Sequence, residues 1–173
     1  MYQDYKDLLS AFHAHGVRYL IVGGYAVVFH AQPRFTKGID VFIRADPVNA
    51  QAVYSALSEF GAPLQNIRPE DFADRSGFFR FGRDPRGVDI LPGLPGVDFD
   101  AAWERRVEGV IDAESGLTAF FISKDDLITA KLASGRPQDL ADVSAVQEAL
   151  QSQQPKLSKE KPPEAAPRGP DGS

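Results

Sequence analysis

The sequence predicts an α/β or α+β domain: a small mixed sheet flanked by helices, with further helices at the C-terminal end. Three observations lead there. Short apolar runs of strand length alternate with amphipathic helical stretches in the N-terminal part. A β-ribbon pattern and more helices follow, an order that suits a mixed sheet. With 43% hydrophobic and 25% charged residues, the chain has the composition of an ordinary globular domain, able to close a core without disulfides or metal.

Asp4 to His15 read as a helix, because Tyr5, Leu8, Leu9 and Phe12 share one face at i, i+3, i+4 and i+7. Gly16 ends it. Arg18 to Val22 (RYLIV) is a strand-length apolar run. Gly23-Gly24 breaks it, and Tyr25 to His30 start a second helix that Pro33 stops. Gly38 to Arg44 (GIDVFIR) is the second strand. Asp46 caps and Pro47 opens a helix whose apolar stripe runs from Val48 through Val53 and Leu57 to Phe60, before Gly61. Residues 62–76 read as irregular and polar. Phe78 to Phe81 and Val88 to Leu91 read as strands joined by the turn Asp84-Pro85-Arg86-Gly87. After the loop LPGLPG, a short helix around Ala101 to Arg106 carries the single tryptophan, Trp103. Val107 to Ile111 and Leu117 to Ile122 are weaker strand candidates. Ser123 to Asp126 resembles a capping box, with Asp in place of Glu, before a helix ending at Ala133. Pro137 opens the last helix, with Leu140, Val143, Val146 and Leu150 inward. From Gln151 the apolar content collapses and five prolines appear. The expected organisation is therefore a folded domain over 1–150 and a disordered Pro/Lys/Glu-rich tail over 151–173.

Composition excludes several function classes. There are no cysteines, so a disulfide scaffold, a thiolate metal site and a cysteine nucleophile are ruled out. The net charge is -5. The tail sets Lys156, Lys159, Lys161 and Arg168 against Glu160, Glu164 and Asp171, which leaves the body more acidic than the whole. Grip on nucleic acid by bulk charge is thereby disfavoured. No apolar run reaches the length of a membrane span, and the N-terminus lacks the pattern of a signal peptide, so the expected location is cytoplasmic, with no membrane partner. The three histidines show no metal-binding spacing, and no serine stands in a GxSxG context.

The residues with chemical promise are few. Gly23-Gly24, between a strand and a helix, is either a tight turn or a place where phosphate approaches backbone amides at a helix N-terminus. In GIDVFI, Asp40 shares a strand face with Phe42 while Ile39, Val41 and Ile43 point the other way. A carboxylate in such a strand needs a partner or a cation; it either caps a loop, pairs with Arg34, or belongs to a site. Asp89 in VDIL poses the same question. If its strand lies beside that of Asp40, the two carboxylates converge, an arrangement suited to Mg²⁺ with substrate phosphates. Lys131 is either a solvated helix residue or a point charge for a phosphate. Asp139 and Asp142 read as a helix cap and as a partner for Arg136 or Lys131.

Together these residues resemble a signature. The segment YLIVGGYAVVFHAQPRFTKGIDVFI is similar to the N-terminal element of a small bacterial branch of the nucleotidyltransferase superfamily, related to minimal nucleotidyltransferases and to the nucleotidyltransferase toxins of toxin–antitoxin and phage-defence systems. That element has a glycine pair, a helix ending in His, Arg-x-Thr, and Asp-x-Asp on the next strand. Here these places are Gly23-Gly24, His30, Arg34, Thr36 and Gly38-Ile39-Asp40. The segment DDLITAKLASGRPQDLADV is similar to the same branch's C-terminal element. The resemblance implies a nucleotidyltransferase-like mixed sheet with flanking and C-terminal helices. It implies transfer of a nucleoside monophosphate from a nucleoside triphosphate to an RNA such as tRNA, a protein or a small molecule, with Mg²⁺ or Mn²⁺. Gly23, Gly24, Arg34, Thr36 and Lys131 would bind nucleotide; Asp40 and Asp89 would be catalytic and hold metal. The first Asp of Asp-x-Asp is Gly38 here. This departure implies either an impaired enzyme or an inactive relative that binds nucleotide or protein, for instance a cognate toxin or antitoxin.

Overall fold

The computed structural model describes residues 1–153. The order is α1 (Gln3–Ala14), β1 (Tyr19–Val22), α2 (Gly23–His30), β2 (Gly38–Ile43), α3 (Pro47–Phe60), β3 (Phe79–Phe81), β4 (Gly87–Leu91), α4 (Phe99–Glu104), β5 (Val107–Asp112), β6 (Leu117–Phe121), α5 (Lys124–Ser134) and α6 (Pro137–Gln153). A mixed α/β architecture is thus present, as expected. The last helix passes Leu150. The expected tail lies outside the described residues from 154 onward.

The strands form one six-stranded sheet in the order β3-β4-β2-β1-β6-β5. The β1–β2, β3–β4 and β5–β6 pairs are antiparallel, while β2–β4 and β1–β6 are parallel. The parallel β2–β4 pair matters most, because its register places Asp40 directly beside Asp89 and Phe42 beside Leu91. On the other face of β2, Ile39, Val41 and Ile43 are fully buried. They join the core that receives Tyr5, Leu8, Leu9 and Phe12 from α1.

Local chemistry sets the element ends. Asp46 accepts the amide of Asn49 at 2.9 Å and caps α3. Ser123 Oγ accepts the amide of Asp126 at 3.1 Å, and the Asp126 carboxylate accepts the Ser123 hydroxyl at 2.9 Å. Arg105 forks onto that same carboxylate at 2.8 and 3.0 Å, tying the end of α4 to the start of α5. The polar stretch 62–76 is not wholly irregular: Pro69–Ala73 form a short 3-10 helix that buries Phe72. One aromatic residue among polar neighbours gives no periodicity for a sequence reading to detect. Among the described residues no helix is long and apolar enough to cross a membrane.

Candidate active site

A cleft of about 1100 Å³ opens along one end of β2 and β4, roofed by α5 and the start of α6. All seven residues singled out from the sequence line it: Gly23, Gly24, Arg34, Thr36, Asp40, Asp89 and Lys131. They come from five separated stretches of chain, brought together by the strand order.

Asp40 is the pivot. Burial raises its carboxyl well above the ordinary range, and the neighbouring charge of Asp89 and a hydrogen bond with it add to the rise, to about 7. Lys131 and Arg80 pull the other way without cancelling the effect. Asp40 therefore holds a proton where an isolated carboxyl would not, as a carboxyl does when burial and a neighbouring carboxylate disfavour its charged form. Asp89 is partnered by Arg80, its cross-strand neighbour, at 2.6 and 3.3 Å. Asp40 makes no salt bridge to Arg34, which reaches Asp142 instead at 3.2 Å.

The glycine pair has a steric purpose. Gly23 sits at φ +66°, and a Cβ there would overlap the Asp40 carboxylate. A Cβ on Gly24 would lie 3.0 Å from Thr36 Cβ and 3.1 Å from Arg34 Nη2. The two glycines thus admit Asp40, Thr36 and Arg34 to the start of α2, whose first turn has no side-chain cap. Thr36 donates its hydroxyl to the Gly38 carbonyl at 2.8 Å. Arg34 donates to the Phe35 carbonyl at 2.9 Å, yet its Nε is buried without a hydrogen-bond partner among the described residues. A buried orphan donor is costly, and the residue that carries it lines the cleft.

Lys131 is buried, with Nζ 2.9 Å from Asp142 and 3.2 Å from Asp139. Arg136 also reaches Asp139, at 2.8 Å. Three cations and two carboxylates thus clamp α5, α6 and the chain before β2 together. His30 is structural: its buried Nε2–H donates to the Ile122 carbonyl at 2.6 Å and pins α2 to the end of β6.

Three features of the cleft are not in the sequence reading. Arg80 alternates with Phe79 and Phe81, and that period-2 pattern was a signal that it faces away from them. Phe35 and Phe78 are the most exposed aromatic side chains among the large exposed hydrophobics, at 72% and 65%, and both line the cleft. Gly38 lies beside Gly87 in register, and a Cβ on Gly38 would stand 2.6 Å from the Gly87 carbonyl oxygen. That contact depends on strand pairing and is invisible to a linear reading.

Asp40 and Asp89 are the cleft's carboxylate donors for a divalent cation. Two carboxylates on neighbouring strands give hard oxygen ligands of the kind Mg²⁺ and Mn²⁺ take. No group of three or more His, Asp or Glu side chains gathers in a way that could hold a metal among the described residues. The residues fit one cation shared by Asp40 and Asp89, and a second would lack the carboxylate that Gly38 does not supply.

A mixed sheet that delivers paired carboxylates into a cleft headed by a glycine turn defines a protein of the nucleotidyltransferase fold. The model of a family described as "Nucleotidyltransferase of unknown function (DUF6036)" matches residues 3–159, and the chain belongs to that family. Among solved structures, the fold is similar to that of the lincosamide antibiotic adenylyltransferase LnuA with lincomycin bound. The TM-score is 0.50 at 16% identity, covering 86% of this chain and 98% of that one. No curated protein matches the chain.

Proposed function

We propose that this protein transfers a nucleoside monophosphate from a nucleoside triphosphate to a hydroxylated acceptor, using Asp40 and Asp89. The observation that carries this reading is the in-register pair of Asp40, raised to about 7, and Asp89, in a cleft where, among the described residues, Arg34 Nε has no partner. The adenylyltransferase activity in the name of the structural neighbour supports the same reading. A divalent cation, Mg²⁺ or Mn²⁺, bound by Asp40 and Asp89 would supply Lewis-acid stabilisation of charge on the nucleotide phosphates. The chain's own groups do the rest. The uncapped first turn of α2 and the orphan Nε of Arg34 offer donors to phosphate oxygens. Arg80, mostly exposed and hinged on Asp89, can move between that carboxylate and a developing pyrophosphate charge. Lys131 holds Asp139 and Asp142 and adds positive potential near Asp40.

The test is transfer of label from α-labelled nucleoside triphosphates with Mg²⁺ or Mn²⁺, offering total RNA, lysate protein and small hydroxylated molecules. The native chain should transfer label, and Asp40→Asn or Asp89→Asn should lower the rate about 100-fold or more. A second reading, a non-catalytic nucleotide-binding relative, is favoured by the Gly38–Gly87 contact, which leaves no room for the absent carboxylate. Binding of Mg·ATP without transfer by the native chain would select it. Under either reading Gly38→Asp should lower stability by about 1–3 kcal/mol rather than restore a rate, because backbone must shift to admit the side chain.

A further inference from the structure

A second cavity, about 600 Å³, adjoins the first at the far ends of β2 and β4. The two share Phe78, Leu91, Gly93, Leu94 and Pro95. The strands explain the adjacency. Alternate residues share a face, so Phe42 follows Asp40 and Leu91 follows Asp89 roughly 7 Å along each strand. Phe42 and Leu91 pair in register and both line the second cavity. Anything seated there lies one strand step from the carboxylate pair.

The walls specify what fits. Phe42 meets Phe99 edge-on with centroids 5.0 Å apart. Leu94 and Val97 extend the apolar lining, and Phe78 presents an exposed ring with the Arg80 guanidinium 5.6 Å from its centroid. The rim acids have partners within the protein. Asp46 and Asp100 accept from Arg44, at 3.2 and 2.7 Å, and Asp98 accepts the amide of Ala101 at 3.0 Å. Recognition therefore falls on the apolar floor and the exposed ring, with the exposed Arg75 as a further polar group at the rim. The volume is within the range that small molecules fill, far below what a duplex RNA or a folded domain needs.

From this we infer that the second cavity is the acceptor subsite and takes a small alcohol or phenol with an apolar ring body, stacked against Phe78. The inference rests on the nucleotidyltransferase reading of the first cleft. The acceptor oxygen would bond to the α-phosphorus as the bond from that phosphorus to the pyrophosphate oxygen breaks. The hydroxyl proton passes to solvent water, and pyrophosphate leaves with the electron pair.

Methyl-resolved NMR of the full chain tests it, with phenol as the probe of the second cavity and Mg·ATP as the probe of the first. Phenol should shift the methyls of Val97, which lines only the second cavity, together with those of the shared Leu91 and Leu94, and leave those of Val22 and Leu127 in place. Mg·ATP should shift Val22 and Leu127, and saturation with it should leave the phenol response intact. Gly77 lines only the second cavity, and a Cβ there meets nothing nearer than 3.6 Å. Gly77→Trp should therefore weaken phenol binding at least tenfold without changing the Mg·ATP response. Phenol shifts at other methyls, no phenol shifts, or their loss on adding Mg·ATP would overturn the subsite. Normal phenol shifts with no response to Mg·ATP would instead overturn the parent reading, and the acceptor role with it. Label from α-labelled ATP that enters RNA or protein, but not the small-molecule fraction of a cell extract, would overturn the acceptor class.

Discussion

Asp40 illustrates how one side chain can be held against the interest of stability. Its carboxyl is raised from 3.8 to about 7, so between those values the native state keeps a proton that the unfolded chain releases. Stability without divalent cation should therefore fall as pH rises from about 4 to about 7, and this contribution should then level off. Asp40→Asn removes the titration. In chelator, the variant should melt higher than the native protein at pH 8 and show less difference between pH 5 and pH 8. A difference between native and variant melting temperatures that stays constant from pH 5 to pH 8 would instead mean that Asp40 is ionised throughout. Gly23 belongs to the same device, since only a residue without Cβ leaves room for that carboxylate.

At the scale of elements, the clamp around Lys131 joins α5 and α6 to the chain entering β2. Asp139 and Asp142 are both 2% exposed, so removing their shared ammonium leaves buried charge short of a partner. Lys131→Met should cost about 3 kcal/mol in denaturant unfolding. A loss within a few tenths of a kcal/mol would show that Arg34, Gln138 and Arg136 satisfy the carboxylates by themselves. The elements themselves were legible in the sequence because each announces itself locally. Examples are the stripe of α1, the Asp46-Pro47 start of α3 and the alternation in GIDVFI. Their partners were not. Arg34 looked available to Asp40 and instead bonds Asp142, far along the chain. Arg80 reaches Asp89 only because β3 returns beside β4 in that register. Pairings of this kind are decided by topology, and no local pattern encodes them.

For the whole molecule, the strand order does the assembly: placing β2 between β1 and β4 puts the glycine turn and both carboxylates at one cleft. A nucleotide that binds there should stabilise the whole domain. At a hundred times its dissociation constant, Mg·ATP should add about 2.7 kcal/mol. In a domain of this size that raises the melting temperature by roughly 5–10 °C. The shift should vanish in Asp89→Asn; a shift that survives in that variant would place the nucleotide elsewhere. The seven residues chosen from the sequence meet at this cleft because strand-end glycines and isolated carboxylates in apolar strands are conspicuous in a linear reading. The second cavity was not conspicuous, since its floor is ordinary apolar residues of the core and of a proline-rich loop, and its rim charges carry no pattern in the linear sequence. The contact between Gly38 and Gly87 bears also on how such a site can change over generations. A single codon change to aspartate at position 38 meets a backbone carbonyl on the neighbouring strand. An aspartate at position 38 therefore calls for an accompanying shift of the neighbouring strand, and the substitution alone is penalised. The same contact that shapes the strand pair thus sets a steric threshold against a third carboxylate at this position.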